Sequence, residues 1–167
     1  NQLGFNKVYK QGLNISTPIN LDLQKIAIKS LREGLISYDK RKGWRGPLLR
    51  EKKIINWKDK LDKFKLEKSI NWNLAIIKKM NKFSVEIETE NNLSGVIKYE
   101  NISWTKKEFN QILRVGDVIY VENLNDDIFA LRQLPLVNGG IVVMDPFTGR
   151  VLALSGGFSF KKSEFNR

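Results

Sequence analysis

The chain has no cysteine and no histidine. Their absence removes disulfides, thiol nucleophiles, zinc sites built on Cys or His, and His-based catalytic triads from consideration. It does not fix the compartment. No stretch approaches the roughly 20 apolar residues of a membrane span, and no signal-peptide pattern is present. The first residue is Asn1 and not Met. That reads as a piece excised from a longer protein, so the missing targeting signal says nothing about the parent.

What is present is 167 residues, 41% of them hydrophobic. That suits one domain, or a small domain with pieces of another. Lys, Asn and Ile are abundant, a mix typical of an AT-rich genome. The net charge of +11 raises the question of nucleic-acid binding, so its location matters. Residues 1–68 hold 17 Lys/Arg and 7 Asp/Glu; residues 69–138 hold 8 and 9; residues 139–167 hold 4 and 2. The excess sits in the first part of the chain.

"GLNISTPIN" (residues 12–20) alternates Leu13, Ile15 and Thr17, which predicts a short strand ended by Pro18. Asn20 is suited to cap a helix. From there Leu23, Ile26, Ala27, Leu31 and Leu35 recur at helical spacing, with a stop expected near Gly34 or Ser37. Gly43, Gly46 and Pro47 break the chain again. In residues 50–68, Ile54, Trp57, Leu61 and Phe64 keep a 3/4 spacing, which predicts a second amphipathic helix. Basic helices of this kind bind membranes or nucleic acid. Here Lys alternates with Asp59, Asp62 and Glu67, so a solvated face is the plainer reading.

From Trp72 the period becomes two. Strands are predicted over residues 73–81, 83–90, 93–100, 115–124 and 128–135. Residues 101–113 form a connection with helical character, and Asn91-Asn92 and residues 125–127 form turns. Five short strands with a helical connection between the third and fourth predict a small OB-like barrel, a closed sheet without exposed edges. The expected inward residues are Leu74, Ile76, Val85, Ile87, Val96, Val118, Tyr120, Phe129 and Leu131, or their neighbours if a bulge shifts the register. The last segment, "GGIVVMDPFTGRVLALSGGFSF" (residues 139–160), reads as a hairpin. A hairpin alone is marginal in water, so it looks like the start of a larger sheet. One face of it needs a cover, either the barrel or a second copy.

Nucleic-acid-binding OB barrels join a positive groove to aromatic platforms. This barrel puts Glu86, Glu88 and Glu90 on the outer face of its second strand, and Asp126 and Asp127 in a turn. It offers no surplus of Lys and Arg for phosphate. A nucleic-acid-binding barrel with a basic N-terminal arm is the alternative kept open. A contact of the Lys-rich segment 50–68 with a polyanion or a membrane surface is a third reading.

Ser-x-x-K marks one group of acylating serine enzymes. It occurs at Ser37…Lys40, Ser103…Lys106 and Ser159…Lys162, and none has a Ser-x-Asn or Lys-Thr-Gly partner. No carboxylate pair stands out: Asp22 and Asp145 have helix-end and turn explanations. Gly156-Gly157 is no phosphate loop. The residues therefore nominate no catalytic, cofactor-binding or metal-binding side chain.

The segment from Gly139 to Arg167 resembles the opening of the transpeptidase domain of class A penicillin-binding proteins. The shared residues are Val142-Val143-Met144-Asp145-Pro146, Thr148-Gly149, Val151-Leu152-Ala153, Gly156-Gly157 and Phe165-Asn166-Arg167. "ISTPINLDLQKIAIKSL" (residues 15–31) is similar to the segment that precedes it in that family, through Thr17, Ile19, Leu23 and Gln24. Asn20 departs from the usual Asp. "GLISYDKRKGWRGP" (residues 34–47) resembles a stretch of the 1A branch.

The resemblance implies an OB-like insert between two transpeptidase pieces. Residues 1–50 would be a linker with the strand and helix piece, 51–138 the barrel, and 139–167 the first hairpin of the transpeptidase domain. It further implies a parent with glycosyltransferase and D,D-transpeptidase activities, anchored in the bacterial inner membrane and facing the periplasm. The family's nucleophilic Ser lies beyond the position of Arg167, so this part would be non-catalytic. It would need no cofactor, act as spacer and docking module, and meet the parent's other domains, envelope regulatory proteins or cell-wall polymer.

Overall fold

A computed structural model describes residues 16–51 and 56–159 of the chain. Helix α1 (Leu21–Arg41) opens it. Asn20 caps it as its residue type predicts: its Oδ1 accepts from the backbone N of Asp22 and Leu23, each at 3.0 Å. The helix runs past both expected stops, Gly34 and Ser37. Leu35, past the first, and Asp39, past both, are buried, and that packing outweighs the roughly 1 kcal/mol cost of a helical glycine. It ends instead at Gly43, whose φ of +85° and N–H bond to the Lys40 carbonyl close the last turn. Residues 16–20 carry no strand, and Leu13 and Ile15 of the predicted strand lie outside the described residues.

Strands β1 (Leu49–Arg50), β2 (Asn73–Met80), β3 (Ser84–Thr89), β4 (Ser94–Lys98), β5 (Asp117–Asn125) and β6 (Ile128–Arg132) form one sheet in the order β1-β5-β2-β3-β4-β6. A further β5–β6 pairing closes five of them into a barrel, with β4 and β6 parallel. Between β4 and β5 run the short turns Tyr99–Asn101 and Ser103–Thr105 and the helix α2 (Phe109–Ile112). This is the mainly β, OB-like architecture the strand count predicts.

The barrel interior holds Ala75, Ile77, Val85, Ile87, Ile97, Ile119, Val121, Phe129 and Leu131, plugged at one end by Ile102, Phe109, Ile112 and Leu113. Val85, Ile87, Phe129 and Leu131 point inward as expected. Elsewhere the neighbours do: Ala75 and Ile77 replace Leu74 and Ile76, Ile97 replaces Val96, and Ile119 and Val121 replace Val118 and Tyr120. β2 and β5 are apolar on both faces, so alternation alone does not choose between them. The other face is buried too. Leu74, Ile76, Val118 and Tyr120 pack outside the barrel against Trp57 and Leu61.

That cover is the segment expected to be a second helix. It forms two 3-10 turns instead, Trp57–Lys60 and Asp62–Phe64. Asn56 stands at φ +64°, which stops a continuous helix, and Ile54 lies outside the described residues. Trp57 and Leu61 do face the core as their spacing requires. Phe83, two positions before Val85 and so in phase with the inner face, precedes β3 and is 75% exposed.

Two glycines make the barrel possible. A Cβ on Gly95 would lie 2.4 Å from Cε2 of Phe129, so its absence lets that ring fill the interior. Gly116 has φ +88°, and a Cβ there would meet the Glu51 carbonyl oxygen at 2.1 Å. β1 therefore runs close beside β5, with the Glu51 N–H donating to the Gly116 carbonyl at 2.9 Å.

β7 (Gly140–Met144) and β8 (Val151–Gly156) form the predicted hairpin. Its turn is set by Asp145, whose Oδ1 accepts from the N–H of Phe147 and Thr148 at 2.8 and 2.9 Å. These bonds hold its carboxyl below the usual range. The hairpin packs chiefly against α1. Ala153 is fully buried. The opposite face, with Val142, Met144 and Leu154, is exposed.

Candidate functional site at the junction of barrel and helix

None of the Ser-x-x-K patterns forms a Ser–Lys contact among the described residues. Ser37 Oγ accepts from Arg41, while Lys40 lies over the Trp104 ring. Ser103 Oγ donates to the Glu100 carbonyl. Ser159 is buried and its Oγ donates to Glu67 Oε2 at 3.3 Å; Lys162 lies outside the described residues. The outward carboxylates of β3 are paired, Glu88 with Lys78 at 3.0 Å and Glu86 with Lys79 at 3.9 Å. No group of metal-ligating side chains occurs among the described residues.

What the fold does bring together is a polar network that sequence reasoning did not single out. The chain enters the barrel through residues 42–48 and leaves it through 133–138. Both crossings meet at Asp39, which is 2% exposed. Asp39 Oδ1 accepts from Arg45 NH1 at 2.9 Å and from the Leu136 N–H at 3.2 Å, and Oδ2 from Gln133 Nε2 at 2.8 Å. Gln133 Oε1 accepts from the Arg45 N–H at 2.9 Å, and Arg45 NH2 donates to the Leu134 carbonyl at 2.7 Å. One carboxylate thus ties the end of α1 to the incoming and the outgoing strand of chain. Burial alone would raise the Asp39 pKa. The hydrogen bonds from Arg45, Gln133 and Leu136, with the Arg45 charge, outweigh it and hold the carboxyl below its ordinary value.

A second clamp centres on Arg32, further back on α1. Its Nε donates to the Phe158 carbonyl at 3.0 Å, its NH1 to the Ser69 carbonyl at 2.8 Å, and its NH2 to Ser69 Oγ at 2.9 Å and to Glu67. Glu67 also takes the Ser159 hydroxyl. Arg32 therefore joins the helix, the approach to β2 and the exit from the hairpin.

Between the clamps lies an apolar seam. Leu35, Ile70 and Phe158 are buried there, with Leu31, Ile36, Trp72, Leu134 and Val137 packed around them. The Trp72 ring is 5.4 Å from that of Phe158 and 6.1 Å from that of Tyr120. An open groove of about 480 Å³ runs beside the seam, floored by Ile28, Ile36, Ile70 and Trp72. Two polar clamps and an apolar seam thus join helix, hairpin and barrel.

Residues 44–137 match a family described as the penicillin-binding protein OB-like domain. Over 163 residues the chain is 36% identical to penicillin-binding protein 1A of Rickettsia prowazekii, covering 95% of this chain and 20% of that protein. It is 28% identical over 181 residues to penicillin-binding protein 1A of Escherichia coli, covering 95% and 21%. The crystal structure of penicillin-binding protein 1A from Haemophilus influenzae superposes over 99% of this chain and 25% of that one, with a TM-score of 0.79 and 27% identity. The chain spans about a fifth of the length of the relatives it matches.

Proposed function

The chain belongs to the penicillin-binding proteins, as an OB-like barrel with its flanking pieces from the 1A branch, and on that premise we propose that it is the orienting module of a bifunctional peptidoglycan synthase. The parent would polymerise glycan strands in one domain and cross-link their peptide stems in another. The barrel would act as a spacer that sets the second domain's attitude and offers a docking surface. These 167 residues would carry no acylating serine, so labelled penicillin would leave no covalent adduct on them.

The observation that carries the reading is Asp39. A carboxylate buried where both barrel crossings meet the helix, bonded to Arg45, Gln133 and the Leu136 N–H, would fix how the barrel leaves the helix–hairpin unit. No helix among the described residues is long and apolar enough to cross a membrane. On this reading the parent supplies an inner-membrane anchor elsewhere, and the module works on the periplasmic side.

The test is made in the full parent. Asp39→Ala combined with Arg32→Ala should leave penicillin acylation and glycan polymerisation intact while lowering the cross-links formed per polymerised disaccharide. Unchanged cross-linking in a folded double variant would overturn the orienting role. A parent without either activity would overturn the synthase assignment itself.

A further inference from the structure

The positive excess of the first 68 residues has to appear somewhere on the surface. In the segment 50–68 part of it is paired, while Lys63 and Lys68 form no salt bridge among the described residues. Lys58 reaches Asn92 and Glu88, Lys60 reaches Glu51, and Lys65 reaches Asp62. By contrast Lys40, Arg41, Lys42, Lys106 and Lys107 form no salt bridge among the described residues.

The fold brings the helix end that carries three of them beside the turn that precedes the other two. The Lys40 ammonium lies 5.8 Å from the centre of the Trp104 ring, which brings the end of α1 against the turn that Lys106 and Lys107 follow. Trp44 packs edge-on to Trp104 at 6.0 Å. Arg41 and Lys42 each sit 5.3 Å from the ring of Tyr38. Arg41, Lys42, Lys106 and Lys107 are exposed. Lys40 is only half-buried, but burial, with Arg132 nearby, already lowers its pKa. The connection's own carboxylates, Glu100 and Glu108, form no salt bridge with these cations among the described residues, and its buried donors Asn101 Nδ2 and Trp104 Nε1 lack hydrogen-bond partners.

Cations in the last helical turn complement the helix dipole, which accounts for Lys40 and Arg41. It does not account for Lys106 and Lys107, which follow a separate turn. Ring contacts hold three of the cations in place, so less freedom is lost when a partner binds.

From this arrangement we infer that the end of α1 and the Trp104 turn form a docking surface for a flexible, carboxylate-rich segment of a partner protein. Successive helix positions leave the axis about 100° apart, so Lys40, Arg41 and Lys42 point round the helix end. A flexible acidic chain follows such a curve, whereas a flat bilayer meets one side of it. Nucleic acid would need free ring faces for stacking. Here Lys40 covers Trp104, and Arg41 and Lys42 cover Tyr38.

Fluorescence anisotropy of the full 167-residue chain with a labelled oligoglutamate peptide tests the surface. Arg41→Glu, Lys42→Glu, Lys106→Glu and Lys107→Glu together should weaken binding about tenfold or more. Lys63→Glu, Lys68→Glu, Lys82→Glu and Lys98→Glu change the net charge equally at other places and should weaken it no more than about twofold. Equal losses in the two sets would reduce the effect to net charge and overturn the site. Tighter binding of phosphatidylglycerol vesicles or oligothymidylate than of oligoglutamate would overturn the choice of partner. If the first set fails to fold by circular dichroism, the exposed pair Lys106→Gln and Lys107→Gln replaces it, with a loss of about threefold expected and no loss contradicting the site.

Discussion

The side-chain amide of Gln24 takes the place of a neighbouring strand beside Leu154. Its Nε2 donates to the Leu154 carbonyl at 2.8 Å, and its Oε1 accepts from the Leu154 N–H at 3.0 Å. Two residues along, the Leu152 carbonyl accepts from the Asn20 N–H at 2.8 Å. The free edge of β8 is thereby occupied by the start of α1, and among the described residues no strand pairs with the outer edge of β7. Exposed strand edges otherwise invite pairing with other chains.

Gln24→Ala removes both bonds and leaves the Leu154 backbone to solvent. The expected loss is about 1–2 kcal/mol in denaturant unfolding, with faster hydrogen exchange at the Leu154 amide. Unchanged exchange there would contradict the pairing.

Asp39→Ala leaves Arg45 and Gln133 without their acceptor and should cost about 3 kcal/mol. The same group predicts an acid response. Its folded pKa lies below the ordinary carboxylate value of 3.8, so the folded state binds the proton less readily than the unfolded chain. The stabilisation is complete at neutral pH and fades as the pH falls below about 4. Stability measured against pH should therefore drop less steeply in Asp39→Asn than in the unaltered chain.

Tyr120 gives the opposite limb. Burial, and secondarily the charge of Glu90, push its hydroxyl up to about 12 from 10.0. The hydroxyl donates to the Phe64 carbonyl at 2.6 Å. Between those two values the unfolded chain loses its proton first, so stability falls as the pH rises from 10 to 12. Tyr120→Phe should lose about 1 kcal/mol at neutral pH and flatten this alkaline decline. An equally steep decline in the variant would show that other groups cause it.

Much of this was legible in the residues. The change of period at Trp72, the Asn20 cap, the Asp145 turn and the five-strand count led to the barrel and the hairpin. The resemblance also contained the right residues. Gln24 lies in the segment 15–31, Asp39 and Arg45 in the segment 34–47, and Gln133 just after the strand that leaves the barrel. What the residues did not disclose was their meeting, because Asp39 and Gln133 are 94 positions apart and a side-chain network has no period. The faces of β2 and β5 were hidden for another reason. Leu74 through Ile77 are all buried, one face by the barrel and the other by Trp57 and Leu61. The false helix over 50–68 came from the same source, since a 3/4 spacing also fits 3-10 turns lying on a sheet.

Gly95→Ala tests the packing of the barrel. The new methyl meets Phe129 at 2.4 Å and the Asp127 carbonyl at 2.5 Å, so a loss of about 1–3 kcal/mol is expected. Phe129→Leu should recover part of it in the double variant. Strict additivity would mean that the ring is not what the methyl strikes.

The central claim is that the barrel holds one fixed attitude to the helix. The chain has no native cysteine, so Ser30→Cys on α1 and Lys98→Cys at the end of β4 can be spin-labelled cleanly. Pulsed electron–electron distances between them should form one narrow distribution, which broadens when Asp39→Ala and Arg32→Ala are added. A broad distribution in the chain with its clamps intact would contradict the account.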